Sequence, residues 1–149
     1  MNIAIVDDIA AERALLRSRL ERQLSRRNIQ ANLLEYETGE AFLSSCAKLQ
    51  FAVLFLDIYM NGVNGIETAK QFRSMDARCL LIFTTTSTDH ALEGFRVRAM
   101  HYLVKPYTEE MISDLIDEIL ARLPSTERYM TLKLNGTEVP LPFSSFIYA

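Results

Sequence analysis

The chain has 149 residues, 49% apolar and 23% charged, with a net charge of −3, which fits one domain with a single sizeable core and argues against a general nucleic-acid binder. Its two cysteines, Cys46 and Cys79, lie far apart in apolar surroundings without metal or redox spacing, as reduced packing residues of a cytoplasmic protein do. The opening MNIAIVDD is too short and too quickly acidic for a secretory signal, and no apolar run approaches the ~20 residues that span a bilayer.

Asn2 to Val6 reads as a buried strand that ends in Asp7 and Asp8. From Ile9 to about Arg27 the period turns helical, with Leu16, Leu20 and Leu24 inward. Six arginines, among them Arg13, Arg17, Arg22 and Arg27, cover much of the remaining surface. Ala31 to Tyr36 is a weaker strand, and Thr38 caps a second helix that runs to about Lys48. Phe51 to Leu56 is unbroken apolar, β-branched and aromatic, the pattern of a strand buried on both faces, and Asp57 stands where it runs out. Asn61 to Asn64 turn the chain into a third helix over Gly65 to Met75, with Ile66, Ala69 and Phe72 inward.

Cys79 to Thr84 is another buried strand, followed by a hydroxyl cluster from Thr84 to Thr88 and a helix from about Asp89 to Arg96. His101 to Val104 is a short strand that ends in Lys105 and Pro106. Thr108 caps the last helix, whose stripe is Ile112, Leu115, Ile116, Ile119 and Leu123. His90 and His101 are not spaced as metal ligands and read as surface and packing residues. Five alternations of apolar strand and helix predict a doubly wound α/β domain with a five-stranded parallel sheet. Beyond it, Tyr129 to Leu134, the turn Asn135-Gly136 and Val139 to Phe143 predict a β-hairpin extension.

In such a sheet all strand ends of one sense share an edge, and ligands bind outside the carboxyl ends. Asp7, Asp8, Asp57, Thr85 and Lys105 all follow strands, so they should meet in one crevice. Three converging carboxylates repel one another and invite a cation. Hard oxygen donors without imidazole or thiolate favour Mg²⁺ (or Mn²⁺) over zinc. With the Lys105 ammonium and the Thr85 hydroxyl, the set suits a phosphoryl group, with Asp57 as nucleophile.

The motifs IVDD (Ile5 to Asp8), LFLDIYMNGVNG (Leu54 to Gly65), FTTT (Phe83 to Thr86) and YLVKP (Tyr102 to Pro106) together resemble the receiver domain of two-component response regulators, over about residues 1–123. The resemblance implies the flavodoxin-like (βα)5 receiver fold and a regulatory phosphoacceptor rather than an enzyme. By it, Asp57 takes a phosphoryl group from a sensor histidine kinase. Asp7, Asp8, Asp57 and the Tyr59 carbonyl hold the metal, Thr85 and Lys105 engage the phosphoryl oxygens, and Tyr102 is the aromatic switch. The bond before Pro106 is expected to be cis. Tyr59, Thr86 and Ser87 would modulate access, and Thr86 replaces a residue that is usually alanine in the family. The fourth helix, fifth strand and fifth helix form the face on which many receivers pair as homodimers.

His90 to Tyr107 looks most like receivers that precede LytTR-type (LytR/AgrA-like) DNA-binding domains. On that reading residues 124–128 are a linker and 129–149 a partial LytTR domain cut short after its first hairpin, so DNA would be met only through the missing part. The alternative is a stand-alone receiver that acts through protein–protein contacts. An aspartyl-phosphate hydrolase of haloacid-dehalogenase type would want an acid two residues beyond the nucleophile, where this chain has Tyr59. A flavodoxin-like redox carrier would want a hydroxyl- and glycine-rich phosphate loop in place of Asp7 and Asp8.

Overall fold

The computed structural model describes residues 1–60, 64–86, 89 and 91–124. In chain order the elements are β1 (Asn2–Val6), α1 (Ala10–Arg26), β2 (Asn32–Tyr36), α2 (Gly39–Ser45), β3 (Val53–Asp57), α3 (Gly65–Met75), β4 (Leu80–Thr85), α4 (Ala91–Arg96), β5 (His101–Val104) and α5 (Glu109–Arg122). The strands form one parallel sheet in the order β2-β1-β3-β4-β5. The predicted doubly wound sheet is the observed one. The hairpin and linker expected beyond Pro124 lie outside the described residues, as does Ser87.

Side chains alternate across each strand, and the two sets build two cores. Ile3, Ile5, Val53, Phe55 and Ile82 meet Leu16, Leu20 and Leu24 of α1 and Ile112, Leu115, Ile116 and Ile119 of α5. Ala4, Val6, Leu54, Leu56, Leu81 and Phe83 meet Phe42 of α2 and Ile66, Ala69 and Phe72 of α3 on the other face. A strand apolar at every position is therefore required in the middle of this sheet, and β3 is buried throughout. Each large side chain so buried contributes roughly 1.5–3 kcal/mol before conformational entropy is counted.

Local chemistry sets the helix starts. Thr38 Oγ1 accepts from the Ala41 N–H, Asn64 Oδ1 from the Glu67 N–H and Thr108 Oγ1 from the Met111 N–H. Among the described residues α4 runs over Ala91–Arg96. Its end is closed by a Schellman-type bond from the Ala99 N–H to the Gly94 carbonyl, with Arg98 in the left-handed region (φ 57°). An arginine there is held in place because its carbonyl accepts from Arg73 Nη2.

Candidate functional site

The strand order reverses direction between β1 and β3, and the crevice beyond their carboxyl ends holds the acids. Asp7 follows β1 directly. Its N–H donates to the Tyr36 carbonyl at the end of β2, its Oδ1 accepts from the Ile9 N–H (2.9 Å), and Arg13 Nη1 donates to its carbonyl (2.6 Å). These contacts fix a carboxylate that is only 4% exposed. Asp8 is half-buried, with its Oδ1 shut off from solvent. Asp57 is the last residue of β3, rather than the first beyond it, and is also 4% exposed. Its Oδ1 lies 3.4 Å from the Tyr59 N–H, a long contact.

Gly65 makes this position possible. Its N–H donates to the Ile58 carbonyl (2.9 Å), and a Cβ there would run into the carbonyl of Asp57 and the Cα of Ile58. The start of α3 thus lies directly against the backbone that carries the acid.

One oxygen each from Asp7, Asp8 and Asp57 lies within 4.8 Å of the others. Among the described residues one ammonium pairs with two of them: Lys105 Nζ sits 3.0 Å from Asp7 Oδ2 and 3.7 Å from Asp57 Oδ2. Desolvation, with Asp7 adding repulsion, raises the Asp57 carboxyl to about 7 despite the pull of Lys105. Burial pulls the Lys105 ammonium down, but Asp7, Asp57 and Glu12 outweigh it, so the net shift is upward. Among the described residues, the crevice therefore gathers three carboxylates against one ammonium. That is a physical fit to a divalent metal, and the donors are all oxygen, as Mg²⁺ prefers.

Other expected residues fall around this centre. Thr85 is fully buried as the last residue of β4, one position further into the strand than the sequence suggests, and its carbonyl accepts from the Lys105 N–H (2.7 Å). Thr84 is the register partner of Asp57. Tyr102 on β5 packs against the Phe83 ring (centroids 5.4 Å apart), on the side where Gly94 presents no Cβ. The Lys105–Pro106 bond is cis. Tyr59 is 45% exposed at the rim, and Thr86 is exposed.

Two neighbours were not foreseen. Glu12 Oε1 lies 3.5 Å from Lys105 Nζ, and Arg13 buttresses the Asp7 backbone. Glu12 stands one helical turn beyond Asp8, a signal too weak to separate it from an ordinary acid in a first turn.

The model of the response regulator receiver domain matches residues 3–117. The chain belongs to that family. It is 33% identical over 135 residues to the sensory transduction protein LytT of Oceanobacillus iheyensis, covering 89% of this chain and 54% of that one. It is 35% identical over 118 residues to the positive alginate biosynthesis regulatory protein of Pseudomonas aeruginosa, covering 78% and 46%. The chain thus spans about half the length of these relatives. Among solved structures, the BeF3-activated receiver domain of DrrB superposes with a TM-score of 0.65 at 25% identity over 81% of this chain and 97% of that one. A two-component response regulator from Clostridium difficile gives 0.71 at 20% identity over 82% and 97%, a likeness of fold. This receiver is related to LytT and LytR regulators and has the flavodoxin-like architecture of the solved receiver domains. No helix among its described residues is long and apolar enough to cross a membrane.

Proposed function

We propose that this receiver domain is a phosphorylation switch whose acceptor is Asp57. The observation that carries the reading is a nearly buried carboxylate at the end of the central strand, with two further carboxylates within 4.8 Å and one ammonium at 3.7 Å. In the transfer, an oxygen of Asp57 attacks the phosphorus of a phosphohistidine on a sensor kinase. The P–N bond breaks, the imidazole nitrogen keeps the electron pair, and an acyl phosphate forms. Asp7, Asp8, Asp57 and the Tyr59 carbonyl would hold Mg²⁺ (or Mn²⁺), which when bound offsets charge on the phosphoryl oxygens. Lys105 supplies a fixed positive charge to those oxygens, and the Thr85 hydroxyl a hydrogen bond.

The acyl phosphate adds about −1.5 to −2 charge to a crevice that already repels it. A shift of Thr85 toward the new group would vacate space next to Phe83, into which Tyr102 could turn. That would alter the α4–β5–α5 surface, where Leu92 and Phe95 are exposed, 61% and 79% respectively, and could serve a homodimer. The relation to LytT and LytR regulators supports a LytTR-type DNA-binding output in the cytoplasm, with the receiver as its input. In the alternative reading the domain acts alone through the same surface.

The chemical test is lability. After incubation with acetyl phosphate and Mg²⁺, hydroxylamine should strip the adduct and mark Asp57 as its hydroxamate on peptide mapping. A hydroxylamine-stable adduct, or one mapped elsewhere, contradicts the assignment.

A further inference from the structure

The Lys105 ammonium has three N–H bonds and three carboxylates around it, at 3.0 Å (Asp7), 3.7 Å (Asp57) and 3.5 Å (Glu12). Asp7 and Asp57 belong to the acidic crevice. Glu12 comes from the first turn of α1 and lies outside the three-acid cluster. Resting on the reading of Asp57 as phosphoacceptor, we propose that Glu12 is a positioning residue: it competes with the incoming phosphoryl group for Lys105 and thereby slows loading of the switch.

The competition follows from donor number. An ammonium is a compact charge with three donors, all of which have an acceptor nearby here. A phosphoryl group arriving on Asp57 brings three strong acceptor oxygens to the same place. Asp7 cannot yield, because the Ile9 N–H and the Arg13 guanidinium pin its side chain and backbone. The Glu12 side chain is 35% exposed, its contact with Lys105 is longer, and it sits on a helix whose start has no side-chain cap. Glu12 is the partner that can let go. Its negative charge also opposes an anionic donor entering the crevice, so both effects act in one direction. A first-turn acid complements the helix dipole wherever it points. The dipole does not explain why this one reaches across to Lys105.

The test compares the parent chain with Glu12→Gln, Lys105→Gln and the double variant. Loading by acetyl phosphate with Mg²⁺ is followed by intact mass, and equilibrium binding of beryllofluoride with Mg²⁺ by amide NMR shifts. At low ionic strength Glu12→Gln should load roughly three- to ten-fold faster and bind beryllofluoride several-fold more tightly, as expected for loss of one partly exposed charge contact. The gain should shrink at 1 M salt, where the Debye length falls to about 3 Å. In the Lys105→Gln background it should drop below about two-fold, because the competition acts through the ammonium. Equal or slower loading in Glu12→Gln overturns the proposal, and so does a gain fully retained without Lys105 or insensitive to salt. Absence of any adduct and of beryllofluoride binding on the parent removes the phosphoacceptor reading itself, and this proposal with it. Equal rates on a parent that does load remove only the role of Glu12.

Discussion

Two charged regions of this molecule are organised in opposite ways. Along the α1–α5 seam, positive and negative groups answer one another. Arg22 pairs with Glu109 (2.5 Å), Arg27 with Asp117 (3.0 Å) and the Ser113 carbonyl, and buried Gln23 donates to Glu109 (2.6 Å). Arg13 and Arg17 both reach Glu35 on β2. At the carboxyl edge of the sheet, Asp7 and Asp57, each 4% exposed, share Lys105, and the half-buried Asp8 lies within 4.8 Å of both acids. The seam is balanced and partly solvated, so its pairs hold the helices in register at little net gain. Among the described residues the crevice is unbalanced, and two of its acids are nearly buried, so its charge is costly until a ligand compensates it. The arginines that cover much of the α1 surface are thus largely engaged within the domain.

The largest contrast should come from removing one cation from each region. Lys105→Met leaves Asp7 and Asp57 facing one another and should cost about 3 kcal/mol at pH 8. That cost should lessen toward pH 5, where Asp57 carries a proton. Arg27→Gln at the seam should cost less than about 1 kcal/mol. Urea unfolding of both variants measures the difference, and equal losses would erase the distinction between the regions.

A second contrast concerns sign. The folded protein holds the Asp57 proton up to about pH 7, whereas the unfolded chain releases it near 3.8. Folding therefore takes up a proton between these values, and the contribution of Asp57 to stability falls as pH rises from about 4 to 7. Asp57→Asn removes that penalty and should stabilise the metal-free protein by on the order of 2–4 kcal/mol at pH 8, with almost no effect at pH 4. Mg²⁺ should stabilise the parent and have much less effect on this variant, as thermal melts with and without the metal would register. A variant that is less stable than the parent at pH 8 would show that the crevice is not strained.

A smaller effect is expected at the joint beneath the acid. Gly65→Ala places a methyl group against the Asp57 carbonyl and should cost about 1–3 kcal/mol while slowing phosphoryl loading, since the acid moves with its backbone. Normal stability with normal loading would mean that the close approach is easily relieved.

Much of this was legible in the sequence because the code of a doubly wound sheet is strong. Strands apolar at every position, such as Leu80 to Phe83, can be buried only on two faces. Capping residues such as Thr38 and Thr108 mark helix starts from one position. The gathering of Asp7, Asp57 and Lys105 follows from strand polarity alone, and the crevice bears it out. Strand ends were less legible. Thr85 read as the start of a polar cluster beyond the strand, yet threonine is β-branched, and β4 extends through it by pairing with Val104 of β5. Glu12 was missed because its meaning depends on a lysine 93 positions away, a relation that no local pattern carries.

The central claim is that the unbalanced charge at Asp57 exists to receive a metal and a phosphoryl group. The most direct measurement is intact mass after acetyl phosphate treatment, with and without Mg²⁺, on the parent and Asp57→Ala. The account predicts one phosphoryl adduct on the parent only when Mg²⁺ is present, and none on the variant. An adduct of equal yield on Asp57→Ala, or on the parent with the metal chelated, would contradict it.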